Sequence, residues 1–174
     1  MSSACLGSAS ICNPGSSRAV AQFNVSPPEI VANAWGTITL KVNNHLKAFK
    51  DVAILPTDEF LQEQVVQEWD WRWNAVDPMR HRPGIRECDL DRFFYKEDLP
   101  KPEVVILTRG RGHGANLDNP GPGELQVDEA LIGYLKAKGV GEVYILKTSE
   151  AINKYNELRA AGKKRIGALI HTTC

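Results

Sequence analysis

Two segments of this chain hold residue types that could do chemistry. The first is Thr108-Arg109-Gly110-Arg111-Gly112-His113-Gly114, a glycine-rich, basic stretch directly after an apolar run. Glycines let backbone N–H groups approach a phosphate or carboxylate, and paired arginines supply forked donors to it. Arg109, Gly110, Arg111 and Gly112 are therefore candidate residues for holding an anionic small molecule. The dinucleotide fingerprint is excluded, because its glycines must run straight into a helix, and here a stretch rich in Asn, Pro and Gly intervenes before Asp128. A Walker loop is excluded as well, since no Gly-Lys-Ser/Thr is present. The competing reading is a surface loop whose glycines serve turns and whose arginines are solvated.

The second segment is Glu68-Trp69-Asp70-Trp71-Arg72-Trp73, followed by His81. Its alternation predicts an extended stretch that packs Trp69, Trp71 and Trp73 on one side and shows Asp70 and Arg72 on the other. Asp70 and His81 form a candidate acid/base pair, but no nucleophile is attached to them. At the end of the chain stands His171-Thr172-Thr173-Cys174. Positions three apart on a strand point to opposite faces, so His171 and Cys174 are not expected to share a metal ion. These segments contain no complete catalytic set and no motif for a cofactor.

The elements that must position these residues follow from hydrophobic period. Ile38, Leu40 and Val42 alternate with Thr37, Thr39 and Lys41, which predicts a half-buried strand. Asn43-Asn44 then turns the chain, and Phe49 to Leu55 gives a second strand signal, so the two are expected to pair as an N-terminal β-hairpin. In the second half, unbroken apolar runs at 104–107, 143–146 and 166–170 predict strands covered on both faces. Between them lie helical patterns at 128–138, with Asp128 as N-cap and Gly139 as stop, and at 150–161, capped by Thr148 or Ser149 and stopped by Gly162. A short helix is expected over 89–96. The fold class is thus α/β: a mixed, mostly parallel central sheet with packed helices, a βαβαβ second half and the hairpin in front.

Size and composition limit what remains. With 174 residues, 43% hydrophobic and 24% charged, one domain with a full core is expected over 25–174. Residues 1–24 hold six serines and no acid, and read as a disordered Ser-rich tail. Its single Arg18 is little charge for a mitochondrial presequence. Lysine plus arginine equals aspartate plus glutamate, 21 each, which gives no bulk reason to expect nucleic acid as partner. No run is long enough to span a membrane. The four cysteines, Cys5, Cys12, Cys88 and Cys174, are scattered without C-x-x-C spacing, so free thiols are expected rather than disulfides or a zinc site.

Several short strings, taken in order, carry a family resemblance over about residues 26–174. They are Ser26-Pro27-Pro28-Glu29-Ile30, Trp35-Gly36, Lys50-Asp51, Trp69-Asp70-Trp71-Arg72, His81 with Pro83-Gly84, Lys147-Thr148, Tyr155-Asn156 and His171-Thr172-Thr173-Cys174. In these the chain resembles the adipogenesis-associated domain family, whose domain class also includes a mitochondrial complex I assembly factor. The Ser-Pro-Pro-Glu opening and the shared ending resemble the cytoplasmic branch most. The resemblance implies an α/β fold, no established enzymatic activity, and a regulatory or assembly role through a protein partner, such as promotion of fat-cell differentiation. A mitochondrial assembly factor is the alternative it leaves. On this reading Trp69, Asp70, Trp71, Arg72, His81 and Arg109 to Gly112 form a partner surface, and an anionic small molecule or an unrecognised enzymatic activity at the same loop is the competing expectation. The chain departs from the family pattern by an insertion containing 60–64 and by longer stretches over 71–81 and 111–123.

Overall fold

The computed structural model describes residues 26–56, 66–74, 76, 81–94, 100–111 and 124–173. The tail 1–24, the 60–64 insertion, Gly112, His113, Gly114, Cys5, Cys12 and Cys174 lie outside the described residues.

A five-stranded sheet organises the chain. Its order is β5 (Val66–Glu68), β4 (Val52–Ile54), β8 (Ile170 back to Ile166), β6 (Val104–Thr108) and β7 (Glu142–Leu146). The β6 strand runs parallel to both β7 and β8, whereas β4 runs antiparallel to β8 and β5. The sheet is therefore mixed, with the βαβαβ half parallel. All five residues of β6 and of β8 are buried, as unbroken apolar runs require.

Alternation divides the core into two layers. Val104, Ile106, Ile166, Ala168 and Ile170 face one way, toward Ala151, Ile152, Tyr155 and Leu158 of α3 (Thr148–Ala160) and toward Ile30, Ile38 and Leu40. Val105, Leu107 and Leu169 face the other way, toward Trp69, Trp71, Ile85, Leu90, Phe93 and the Leu131 and Leu135 stripe of α2 (Glu129–Ala137). Burying each such large apolar side chain contributes about 1.5–3 kcal/mol, which makes β6 and β8 the expensive strands to damage. The α2 helix starts as its sequence predicts: the Asp128 carboxylate accepts from Ala130 N at 2.9 Å, and Gly139 (φ +92°) ends it. In α3 the cap differs from expectation. Lys147 is the N-cap and Glu150 reaches back to its N–H at 3.3 Å, while Thr148 uses its hydroxyl elsewhere.

The N-terminal hairpin forms, with a different second strand. Asn43 and Asn44 both take positive φ (48° and 64°), the geometry of a two-residue hairpin turn, and join β2 (Thr37–Val42) to β3 (His45–Phe49). A further strand, β1 (Glu29–Ala34), pairs on the other side of β2 and completes a three-stranded antiparallel sheet. Of the 49–55 segment only Phe49 joins this hairpin. Val52–Ile54 is buried on every residue, so it enters the main sheet as β4 rather than a sheet with one wet face. The small sheet is fastened to α3: the Asn156 side chain bonds both Ile30 N and Ile30 O, Tyr155 Oη donates to Pro28 O at 2.9 Å, and Arg159 Nε donates to Pro27 O at 2.7 Å.

The helix expected over 89–96 begins earlier and is shorter. It is a single turn, α1 (Glu87–Leu90), continued by a 3₁₀ turn over Asp91–Phe93. Among the described residues no helix is long and apolar enough to cross a membrane.

Candidate functional site

Parallel strands deliver their carboxyl ends to one rim of the sheet, where open α/β sheets bind ligands. Here β6 ends in Arg109-Gly110-Arg111 and β8 ends in His171-Thr172-Thr173. The two antiparallel partners at that rim are Val52 and Ile170, and the next residue on each strand is Asp51 and His171. Directly opposed residues point to the same face, so the register itself delivers this acid to this imidazole.

Asp51 and His171 are both buried, and Asp51 Oδ1 lies 3.1 Å from His171 Nδ1. The same Oδ1 accepts from Thr172 N at 2.7 Å. His171 is held on its backbone as well: its N–H donates to the Thr108 hydroxyl of β6 at 2.6 Å, and its carbonyl accepts from the Thr148 hydroxyl of α3, also at 2.6 Å. Its far ring nitrogen, Nε2, stands 3.1 Å from Thr173 Oγ1, at the partly exposed end of the strand. Trp71 packs edge-on to the His171 ring at 5.6 Å and stacks on His81 at 4.5 Å, and His81 completes the cluster at 5.5 Å from His171. His81 has φ +53°, a left-handed conformation that a non-glycine residue holds only when its surroundings require it. Burial, and then the neighbouring His171, push the His81 imidazole below its ordinary pKa, against the opposing pull of Asp51.

The residues singled out from sequence fare unequally. Trp69 and Trp71 are buried, but not as alternating positions of one extended stretch. The β5 strand stops at Glu68, and Trp71–Asn74 is a 3₁₀ turn. The reason is local: the Asp70 carboxylate accepts from Arg72 N at 3.0 Å and closes a turn that competes with the strand. Trp69 Nε1 finds the buried Asp89 carboxylate at 3.1 Å. Asp70 does not serve His81 as an acid/base partner. It holds Arg72 in a two-pronged pair at 2.8 Å, which lowers the Asp70 pKa chiefly through those side-chain hydrogen bonds, and the carboxylate of the histidine cluster is Asp51. The surface expected from Trp69, Trp71 and His81 is thus mostly interior, and only Asp70 and Arg72 of that set face solvent.

The two-arginine clamp is also corrected. Arg109 is buried and paired with Glu124 at 3.1 Å, the two side chains being 8% and 3% exposed, so its charge is neutralised inside the protein. Gly110 (φ +101°) is needed for backbone direction, and its carbonyl accepts from Thr148 N at 2.9 Å. Arg111 turns to the rim, where Nε donates to Thr172 O at 3.1 Å and Nη2 donates to Asn33 Oδ1. Gly112 lies outside the described residues. Among the described residues no three His, Cys, Asp or Glu side chains converge to hold a metal ion.

Asp51 was missed because its partner is 120 positions away, and the register that joins them becomes visible only once β4 is assigned to the main sheet. No protein-family model matches the chain. Three solved structures resemble it in fold. A protein designated MT938 is 22% identical, with 84% of this chain and 99% of that one covered at a TM-score of 0.50. A protein from Bordetella parapertussis is 23% identical, covering 86% and 98% at 0.51. An outer membrane protein from Bartonella henselae is 16% identical, covering 86% and 98% at 0.52. The likeness is one of fold. It extends over nearly the whole length of each of those proteins and agrees with the mixed α/β architecture described above.

Proposed function

We propose that the protein is a cytoplasmic regulatory or assembly protein that acts by holding a protein partner at the rim where β6 and β8 end, the role implied by its resemblance to the adipogenesis-associated domain family. The observation that carries this reading is Trp35. It sits at the β1–β2 turn with 73% of its surface exposed, and the adjoining Gly36 N–H bonds Thr172 O at the end of β8. A tryptophan left in water beside a mostly buried polar cluster is the kind of residue that anchors an interface. Leu46 of β3 and Val31 of β1 add exposed apolar surface on the same small sheet. The internal use of Arg109 weighs against a two-arginine anion site as the main activity.

The test is quantitative affinity capture from cytosol with the wild-type chain and with Trp35→Ala. A partner enriched by the first and lost with the second supports the reading. Equal capture by both, or none by either, refutes it. Imaging of a carboxyl-tagged fusion, which leaves residue 1 free, separates the cytoplasmic role from a mitochondrial one.

A further inference from the structure

Asp51, His171 and Thr173 stand in the order of an acyl-transfer relay: carboxylate, imidazole, hydroxyl, with 3.1 Å at each step. The Asp51 contact at Nδ1 is a charge contact at 3.1 Å rather than an aligned hydrogen bond. The carboxylate's charge favours the tautomer with the proton on Nδ1, which leaves Nε2 as an acceptor facing the Thr173 hydroxyl. Core packing alone does not call for this arrangement. A buried ionisable pair is commonly no better for stability than apolar side chains of the same volume. Yet here Thr108, Thr148 and the Thr172 N–H fix the histidine backbone and the carboxylate in place. Such fixing is what a base needs in order to keep its geometry while charge develops on it. Thr173 lies just beyond the carboxyl end of a parallel-sheet strand and is a half-buried residue. Next to it, Arg111 donates Nε to Thr172 O and Nη2 to Asn33 Oδ1, which sets its positive guanidinium beside the Thr173 peptide, where it can stabilise a developing oxyanion.

We propose that Thr173 is a nucleophile that takes an acyl group from an activated carboxylic ester or thioester, with His171 as its general base and Asp51 as the positioning residue. In the first step Thr173 Oγ1 forms a bond to the acyl carbon, the carbonyl electron pair moves onto oxygen toward Arg111, and the hydroxyl proton passes to His171 Nε2. In the second, the carbonyl re-forms, the bond to the alcohol or thiol breaks, and the leaving group takes the proton from Nε2. The products are acyl-Thr173 and the free alcohol or thiol. Water entering by the same relay returns Thr173 and releases the acid. This goes beyond the partner-binding reading and does not rest on it, since an intact Trp35 interface says nothing about the relay.

The test uses the full chain with p-nitrophenyl acetate, following p-nitrophenolate release and locating the acetyl group by tandem mass spectrometry. The wild type is expected to release an initial burst approaching one equivalent and to carry acetyl on Thr173. Thr173→Ser should keep the burst, and Thr173→Ala should lose it, with the rate falling by about 10²-fold or more. Asp51→Asn should slow acetylation and displace its pH profile, an effect that mere loss of packing does not produce. Acetyl found on lysines in place of Thr173, or equal release by wild type and Thr173→Ala, overturns the proposal. Because Thr173 is only half-buried, the Ser and Ala variants decide the question even where changes at His171 or Asp51 prevent folding.

Discussion

Arg109→Ala separates two accounts of the glycine-rich segment that the sequence alone left standing. If Arg109 served an open anion site, its removal would change stability by no more than about 0.5 kcal/mol, as is usual for surface substitutions, and would abolish stabilisation by phosphate. The structure gives the opposite expectation. Glu124 lies beside the guanidinium at 3.1 Å with 3% of its side chain exposed, and its second oxygen, Oε1, has no hydrogen-bond partner among the described residues. Removing the arginine leaves that carboxylate buried and uncompensated, at a cost of about 3–5 kcal/mol. With a slope of about 2 kcal/mol per molar urea, the midpoint should fall by about 2 M. At about 150 residues the melting temperature should fall by about 6–20 °C. Arg109→Met combined with Glu124→Leu removes both charges at similar volume and should recover most of the loss, because the damage comes from the orphaned charge rather than the absent pair. Urea titration of wild type, single and double variants measures all three. A loss below about 1 kcal/mol in the single variant, or a double variant no better than the single, would refute the reasoning.

Other expectations follow from particular contacts. A Cβ on Gly84 (φ +85°) would stand 2.2 Å from the Gln126 carbonyl oxygen, whereas one on Gly139 (φ +92°) meets nothing within 4 Å. Gly139→Ala should therefore cost only the left-handed backbone term, about 1–2 kcal/mol, and Gly84→Ala clearly more; equal losses by calorimetry would contradict the geometry. Tyr155→Phe removes a buried hydroxyl donated to Pro28 O and should cost about 1–3 kcal/mol, with amide exchange rising first over 29–34; unchanged exchange there would count against this tie. His81 has its pKa depressed in the fold, so the unfolded chain binds more protons as pH falls below the ordinary value of about 6.5. Its stabilising contribution is present above that pH and is lost toward the lower folded value. Wild type should thus lose more melting temperature than His81→Asn between about pH 7.5 and pH 5.5, and parallel losses would show that His81 does not carry the linkage.

The fold was legible where one physical signal dominates. The runs at 104–107 and 166–170 appear as Val104–Thr108 and Ile166–Ile170, buried at every residue because strands covered on both faces tolerate few polar residues. The run at 143–146 appears instead as Glu142–Leu146, an edge strand whose residues are half-buried or exposed, so it is not covered on both faces as expected. The α2 boundaries follow from Asp128 and Gly139 for equally local reasons. Reading failed where two local preferences compete. The 69–73 stretch alternates like a strand, but Asp70 can also close a turn on Arg72 N, and the turn prevails once Trp69 and Trp71 are both taken into the core. The 49–55 segment failed for a related reason. It contains the end of one strand and the start of another, separated only by Lys50 and Asp51, and apolar content alone does not mark the change of sheet.

That change of sheet explains why the Asp51–His171 cluster was invisible as well. Lys50-Asp51 and His171-Thr172-Thr173 are polar strings at opposite ends of the domain sequence, and each taken alone reads as a strand end. Once Val52 is set against Ile170, antiparallel register carries Asp51 to His171 and Lys50 to Thr172, and Thr172 Oγ1 indeed donates to Lys50 O at 2.6 Å. The polar groups of this rim are then held by hydrogen bonds to neighbouring elements: Thr172 N to the Asp51 carboxylate, His171 N to the Thr108 hydroxyl and the Thr148 hydroxyl to His171 O. Such a site keeps its distances through side-chain substitution at Trp71 or His81, which only line the histidine, and loses them when β4 shifts by a residue. Among the described residues of the glycine-rich segment, Gly110 turns the chain and Arg111 braces the peptide before Thr173.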